Sequence, residues 1–334
     1  MELYLDSADL GEIEEAFKLG FLSGLTTTPT FMHREGITDI DGTILKLADM
    51  VPVLQIEALG ETADEIYAEA VRQDALGLDK TKTVYKIPVS VEGVKACKRL
   101  TDEGFLVNVH LVYTLQQAYM AMAAGATYVC PLVGRLQDEG QDALALVAKC
   151  VEAVEYYGYD TKIMFSSVRH AEHVRNAIEI GVHTCTVPWK VMKNLTENHF
   201  TTIGTSQFFE HTRLMTETVG ETMRDANPTI TRSAMVSEAV VKMTMSGFGA
   251  VGVVDDGGKL IGVFTDGDLR RLLEKDEDLM KHDLSTVEFN TPVTLGPDAL
   301  LFEASGVFKD KKVDTISIVK DGKQVGMLDI QDLV

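Results

Sequence analysis

The feature that most constrains the fold is an alternation, from Met1 to about residue 205, of short apolar or β-branched runs with amphipathic helical segments. This alternation is typical of repeated βα units around a parallel sheet. The eight runs are ELYLD (2–6), LSGLTT (22–27), VPVLQIE (51–57), TVYKIPV (83–89), FLVNVHLVY (105–113), TYVCPLV (127–133), KIMFSSV (162–168) and HTCTVPW (183–189). Eight parallel strands in roughly 200 residues predict an α/β fold, the (β/α)8 TIM barrel. The helix after the fourth strand should end near Gly104.

After about residue 213 the pattern changes to two similar halves, offset by about 64 residues. The matching positions are Gly258 and Gly322, Lys259 and Lys323, Gly262 and Gly326, Asp268 and Asp332, and Leu269 and Leu333. Each half contains a hairpin sequence, VVDDGGKLIGVF or SIVKDGKQVGML, in which glycine permits the positive φ of a tight turn. We therefore predict two domains, a barrel at 1–212 and a duplicated α/β module at 213–334 with repeats at about 222–276 and 284–334, joined through an ordered helix.

The net charge of the chain argues against strongly anionic partners. The formal net charge is −20, so nucleic acid and anionic membranes would be repelled overall, and an anionic ligand needs a local cationic pocket. The N-terminus shows no export signal and the most apolar stretch, about 118–134, is interrupted by turn residues, so we expect a cytoplasmic protein without a membrane span. The four scattered cysteines predict buried reduced thiols and no metal site. No glycine-rich phosphate loop is present, so we expect no redox cofactor.

Polar residues recur where the predicted strands end, at the rim on which barrel enzymes build their sites. They are Asp6, Thr27, Gln55, Lys86, His110, Arg135 and Ser167. Lys86 stands out because it lies within an apolar run, where burial disfavours the ammonium and leaves the neutral amine that forms imines with carbonyl groups. The alternative is that Lys86 extends towards solvent or pairs with a carboxylate such as Asp6.

Six motifs in order carry a family resemblance. They are LYLDSAD, GLTTTPT, VYKIPVSVEGVKA, ATYVCPLVGR, SSVRHAEHV and TVPWKV. Residues 1 to about 210 resemble the small transaldolase family, which includes fructose-6-phosphate aldolase and short bacterial transaldolases. The resemblance implies that Lys86 forms a Schiff base with sugar-phosphate substrates and that Asp6 exchanges protons around the imine. It also implies that Arg135, Arg169 and Ser167 hold the phosphate, with Thr27 among the substrate-binding residues.

Four positions bear on which reaction the family resemblance implies. Thr28 stands where the family has an asparagine, and Leu132 where it has a tyrosine or a phenylalanine. Gln55 stands where transaldolases have glutamate and the aldolase has glutamine, which favours an aldolase, whereas the missing tyrosine favours a transaldolase. His110 replaces a threonine that helps to hold the catalytic water, and imidazole is a capable proton carrier near neutral pH. The alternative is a histidine that only fills space.

Residues from about 222 to 334 resemble a tandem pair of CBS domains, and GVFTDGDLRRLL is the strongest match, especially to the pair attached to arabinose-5-phosphate isomerases. Such modules bind adenine nucleotides and similar ligands, which implies that Thr265 and Asp268 contact a ribose. Asp332 holds the corresponding place in the second half, but Asp329 replaces the threonine, and two carboxylates disfavour a phosphate. The first half is therefore the better candidate. The alternative is a dimerisation module without a ligand.

These features leave several functional hypotheses. The leading one is a class I aldolase or transaldolase acting on sugar phosphates, regulated by an adenine nucleotide or a nucleotide sugar. A narrower one is formation of arabinose 5-phosphate, for ulosonic-acid synthesis, from glycolaldehyde and glyceraldehyde 3-phosphate. The others are a degenerate barrel that serves as a nucleotide-responsive binding module, and a sugar-phosphate isomerase that needs a base but no imine. Both domain types commonly assemble, so we expect a homo-oligomer.

Overall fold

The first part of the chain forms a closed barrel of eight parallel strands in chain order, which confirms the predicted (β/α)8 fold. The computed structural model describes residues 1–333 and divides into two compact units, Met1–Glu197 and a second that begins at Asn198. All eight predicted runs contain a barrel strand. The strands are β1 Glu2–Asp6, β2 Gly24–Thr26, β3 Leu54–Glu57, β4 Thr83–Pro88, β5 Leu106–Val112, β6 Tyr128–Pro131, β7 Lys162–Phe165 and β8 Thr184–Val187.

Helices α1 to α9 connect successive strands of the barrel, and α10 follows the last strand. They are α1 Leu10–Phe17, α2 Pro29–Arg34, α3 Ile40–Met50, α4 Ala63–Asp74, α5 Val91–Asp102, α6 Leu115–Ala123, α7 Val133–Asp138, α8 Ala143–Tyr157, α9 Ala171–Ile180 and α10 Trp189–Met192. Polar N-caps start several of them; Thr62 and Thr114, for example, each form a reciprocal capping box. Gly104 follows α5 with φ +78°, which confirms the predicted helix end.

The alternation of β4 decides which side chains enter the barrel. Tyr85 and Ile87 point outwards and pack in the large core between strands and helices. Val84 belongs to a smaller core inside the barrel, and the hydroxyls of Tyr4 and Tyr128 in that core lie 3.0 Å apart. Because successive side chains of a strand alternate, Lys86 points inwards as Val84 does, above this inner core.

The second unit contains two three-stranded sheets, as the duplicated sequence predicts. The first sheet has the order β11-β10-β9 and the second the order β12-β13-β14. Its strands are β9 Thr229–Thr231, β10 Ala250–Val254, β11 Leu260–Thr265, β12 Thr294–Leu295, β13 Thr315–Lys320 and β14 Lys323–Asp329. Its helices are α11 His199–Thr216, α12 Val219–Thr222, α13 Val236–Ser246, α14 Asp266–Leu273 and α15 Leu301–Lys311. No helix in the described part of the chain is both long enough and apolar enough to cross a membrane.

Both predicted hairpins are present in the second unit. Strands β10 and β11 pair antiparallel, as do β13 and β14. Asp321 and Gly322 both have positive φ, 53° and 78°, at the tight turn of the second hairpin. The helical segment expected at the junction is α11, and it belongs to the second unit, where it packs against α15.

Candidate active site

A cavity of about 610 Å³ opens at the C-terminal ends of the barrel strands, within the size range of small-molecule sites. The sequence-predicted residues that line it are Asp6, Thr28, Lys86, His110, Leu132, Arg135, Ser167 and Arg169. Thr27 and Gln55 lie behind the wall. The Thr27 side chain is fully buried, and the Gln55 side chain accepts a hydrogen bond of 2.6 Å from Asn108 in the interior of the barrel.

Two hydrogen-bond acceptors hold the amine of Lys86, one just after β2 and one at the end of β3. Its Nζ donates to Glu57 Oε1 at 2.9 Å and to the carbonyl oxygen of Thr27 at 3.0 Å. The parallel register of β3 and β4 places Glu57 directly beside Lys86, and the side chains of both are only 6% exposed. The carboxylate that pairs with Lys86 therefore comes from Glu57, whereas the sequence suggested Asp6.

Glu57 also contacts His110, because Nε2 of the imidazole lies 2.9 Å from Glu57 Oε2. Burial lowers the pKa of His110, although the neighbouring carboxylate opposes that shift. Burial would raise the pKa of Glu57, but the Lys86 ammonium and His110 outweigh burial and hold that pKa below its usual range. At neutral pH the site thus contains an ionised Glu57 between Lys86 and an imidazole that is mostly neutral.

Asp6, at the end of β1, lines the same cavity as Lys86. Its Oδ1 accepts a hydrogen bond of 2.8 Å from the hydroxyl of Thr26, whose oxygen lies 2.5 Å from that of Thr186. Burial raises the pKa of Asp6 above its usual range, while the Lys86 charge and the Thr26 hydrogen bond oppose the shift. A carboxyl group with a raised pKa is suited to both accepting and donating a proton.

Three arginines line the cavity, Arg34, Arg135 and Arg169, and the two that the sequence assigned to the phosphate lie in different environments. Arg135, on α7, is exposed, and within residues 1–333 its guanidinium has no ion pair or side-chain hydrogen bond. Arg169 instead forms a bidentate pair with Asp138, at 2.6 Å and 2.5 Å. Ser167 lies between them in the left-handed region, with φ 58°. A Cβ at Gly134 would lie 2.2 Å from the carbonyl oxygen of Ser167, so glycine permits the close approach of α7 to this loop.

The substituted positions form the less polar part of the wall. The hydroxyl of Thr28 accepts the Phe31 amide at 3.3 Å and caps α2, so it is already engaged. Leu132 presents an apolar side chain to the cavity. Cys130 also lines the cavity, but burial raises the pKa of its thiol to about 11, so it is not a nucleophile there. All four cysteines are buried and free of disulfides among the described residues.

A second cavity, of about 630 Å³, lies within the second unit and is lined by residues of both sequence halves. Thr265 lines it, and Asp268 lies directly behind. Asp268 Oδ2 accepts the Thr265 hydroxyl at 2.7 Å, and its Oδ1 accepts Arg271 at 2.6 Å and Asn290 at 2.9 Å. Asp332 lies outside this cavity and pairs with Arg224 at 2.7 Å, so the structure does not bring the three predicted nucleotide residues together.

Two family models match the chain. The model described as Transaldolase/Fructose-6-phosphate aldolase matches residues 3–242, and the CBS domain model matches residues 219–275 and 277–334. The chain belongs to the transaldolase/fructose-6-phosphate aldolase family. The barrel therefore has a transaldolase or aldolase role, and the second unit is a CBS pair.

Individual relatives of this family cover the barrel almost completely. A probable transaldolase 2 of Bacillus anthracis is 37% identical over 213 residues, which are 62% of this chain and 96% of that protein. A probable transaldolase of Streptococcus pyogenes serotype M2 is 38% identical over 211 residues, 63% of this chain and 97% of that protein. The matches include nearly the whole of each relative, so the CBS pair is an addition to a complete transaldolase-family domain.

Sequence reasoning missed several side chains of the site, and three of them form contacts around Lys86 and Asp6. Thr26 and Thr186 line the cavity beside Asp6, and Glu57 contacts both Lys86 and His110. A sequence signal for Glu57 was present. It lies two residues after Gln55 in the same strand, so it shares the inward face and lies nearer the strand end.

Proposed function

We propose that this chain makes and cleaves C–C bonds of sugar phosphates through an imine on Lys86. The observation that carries the proposal is the placement of a buried lysine amine on the wall of a cavity whose rim offers an unpaired guanidinium. Asp6 exchanges protons around the imine, and Arg135, Arg169 and Ser167 hold the phosphate. Thr28 and Leu132 contact the donor carbons. Gln55 and Thr27 act from behind the wall, by supporting Asn108 and Lys86 respectively.

The donor and acceptor are the first question for experiment. We expect kcat/KM for cleavage of fructose 6-phosphate to exceed that for arabinose 5-phosphate by about tenfold or more, because the matching family model is described as Transaldolase/Fructose-6-phosphate aldolase. The measurement is release of glyceraldehyde 3-phosphate from each sugar under the same conditions. Adding erythrose 4-phosphate as acceptor distinguishes transfer from simple cleavage.

The opposite preference would favour the pentose hypothesis. Leu132 is apolar, and the Thr28 hydroxyl is engaged in capping α2, so the hydroxyl on a third donor carbon would find few hydrogen-bond partners. This wall suits a two-carbon donor such as glycolaldehyde. Faster cleavage of arabinose 5-phosphate would therefore reassign the substrate. Turnover of neither sugar, together with tight nucleotide binding, would favour the degenerate barrel.

We also propose that the cavity of the CBS pair binds an adenine nucleotide or a nucleotide sugar that regulates the barrel. Three cations line this cavity beside two carboxylates, and an excess of positive charge in an otherwise acidic protein suits phosphate groups; the residues are Arg270, Arg271, Lys312, Asp266 and Asp314. Asp268 accepts hydrogen bonds from the ribose hydroxyls once its hydrogen bond with Asn290 is broken. Asp332 does not contribute, because its carboxylate is engaged by Arg224.

Replacing Asp268 with alanine is expected to weaken nucleotide binding by at least about tenfold, since a hydrogen bond to a charged group contributes about 1.5–3 kcal/mol. Calorimetric titration with AMP, ADP and ATP measures the effect. Asp278→Ala, which removes an exposed carboxylate outside the cavity, is the control and should leave the affinity unchanged. Equal affinities for the wild type and Asp268→Ala would contradict this assignment.

We propose further that the protein is a homo-oligomer. Helix α11 has no buried residue, and Phe200, Phe208 and Phe209 are each at least 73% exposed. Aromatic side chains at this exposure are suited to an interface with a second copy.

A further inference from the structure

We propose that Glu57 and His110 form the proton-transfer pair of this site, with Glu57 serving the amine of Lys86 and His110 serving the substrate hydroxyl. The inference rests on the proposed imine chemistry and assigns to Glu57 a catalytic role that the family motifs do not indicate. The observation behind it is the position of the Glu57 carboxylate between the Lys86 amine and the His110 imidazole, two groups that must exchange protons.

Oε1 of Glu57 accepts a hydrogen bond from Lys86, whereas Oε2 faces His110 at contact distance without a hydrogen bond. Oε1 lies 2.9 Å from Nζ of Lys86, and Oε2 lies 2.9 Å from Nε2 of His110. The side chains of Glu57 and Lys86 are nearly inaccessible, so little bulk water competes as a proton acceptor. The register between β3 and β4 fixes the first contact, and the register between β4 and β5, which pairs Pro88 with His110, fixes the height of the imidazole.

Glu57 allows the imine to form without a net change in charge. The Lys86 ammonium gives one proton to the carboxylate, and its freed electron pair forms the C–N bond as the π bond of the carbonyl breaks. After proton transfer from nitrogen to oxygen, the carbinolamine loses its hydroxyl group together with the proton from Glu57. Water leaves, the protonated imine remains, and the carboxylate is restored.

His110 then serves the C–C step. Its neutral imidazole takes the proton from the substrate hydroxyl, the new C=O bond forms, the adjacent C–C bond breaks, and the electron pair moves into the imine to give an enamine. The imidazolium that results lies against the carboxylate of Glu57, which stabilises it. Asp6, which exchanges protons once the imine has formed, is less suited to the first step, because Thr26 engages its carboxylate and Glu57 is the carboxylate in contact with Lys86.

The test is Glu57→Gln, which keeps the shape but removes the charge and the proton-accepting oxygen pair. We expect kcat to fall about 10²- to 10⁴-fold, the usual contribution of general acid–base catalysis. Borohydride trapping at Lys86 should persist, and its pH profile should move to lower pH, because the carboxylate no longer stabilises the ammonium. A purely structural role would not move this profile. Glu57→Asp, which retains the carboxylate, should keep more activity than Glu57→Gln.

Glu2→Gln is the matched control. It breaks another glutamate–lysine pair of the barrel, with Lys162 at 2.7 Å, but does not line the cavity, so kcat and the trapping profile should stay at wild-type values. Wild-type kcat and an unchanged profile in Glu57→Gln would overturn this inference alone. If Glu57→Gln does not fold, His110→Asn at full activity would overturn it. Failure to trap any imine in the wild type would instead overturn the proposed function.

Discussion

Replacing Lys86 by methionine is expected to lower kcat/KM for sugar-phosphate cleavage by at least about four orders of magnitude, the scale of losses seen when a covalent nucleophile is removed. Methionine retains an unbranched chain that fills the same space, but it cannot form an imine. The assay is release of glyceraldehyde 3-phosphate from fructose 6-phosphate at saturating enzyme, so that small residual rates are measurable.

The variant also leaves Glu57 buried without its cation, and breaking one side of a buried pair costs about 3–5 kcal/mol. The double variant Lys86→Met with Glu57→Gln removes both charges and separates lost chemistry from lost stability. Lys95→Met, on the exposed face of α5, is the control that should remain fully active. Cleavage above about one per cent of the wild-type rate in Lys86→Met would contradict an imine on Lys86 as the route of C–C cleavage.

The second large effect concerns Arg135. Its replacement by alanine is expected to raise KM for fructose 6-phosphate about 10- to 100-fold, since each hydrogen bond between charged groups contributes about 1.5–3 kcal/mol. Unphosphorylated fructose is the comparison substrate, and the kinetics of its cleavage should change little. An equal loss with both kinds of substrate would show that Arg135 does not act on the phosphate.

Arg169 should respond differently, because Asp138 already occupies its guanidinium. Arg169→Ala is expected to raise KM less than Arg135→Ala does. Asp138→Asn frees Arg169 and removes a negative charge from the rim, so KM should fall below the wild-type value. A rise in KM for Arg169→Ala together with a fall in KM for Asp138→Asn would show that Arg169 binds the phosphate and that Asp138 competes with it.

The barrel was predictable because its pattern is local. A short apolar run marks each strand, and a helical spacing of apolar residues marks each helix. Eight such runs in order leave few alternatives to a closed parallel barrel. The CBS pair was predictable for a similar reason, since its two halves repeat the same turn glycines. The start of the second unit was harder to place, because α11 joins that unit through tertiary contacts with α15 that no local pattern records.

The chemistry of the site was only partly predictable. Lys86 and Asp6 were found because motifs mark them, but the partner of Lys86 depends on the register between neighbouring strands. The family comparison pointed to Gln55, but that side chain lies deeper inside the barrel, and it is Glu57 that lines the cavity. The pair between Arg169 and Asp138 and the contact between Thr26 and Thr186 join residues that are distant in sequence, so only the folded barrel shows them.

An imine between Lys86 and a sugar phosphate can be detected by mass spectrometry of the borohydride-reduced complex. After incubation with fructose 6-phosphate, reduction and trypsin digestion, we expect a peptide of residues 83–95, uncleaved at Lys86, that carries the mass of the reduced donor adduct. Glu2→Gln should give the same modified peptide, and Lys86→Met should give none. An unmodified, normally cleaved Lys86 in enzyme that is turning over the same substrate would show that the reaction does not pass through an imine on Lys86.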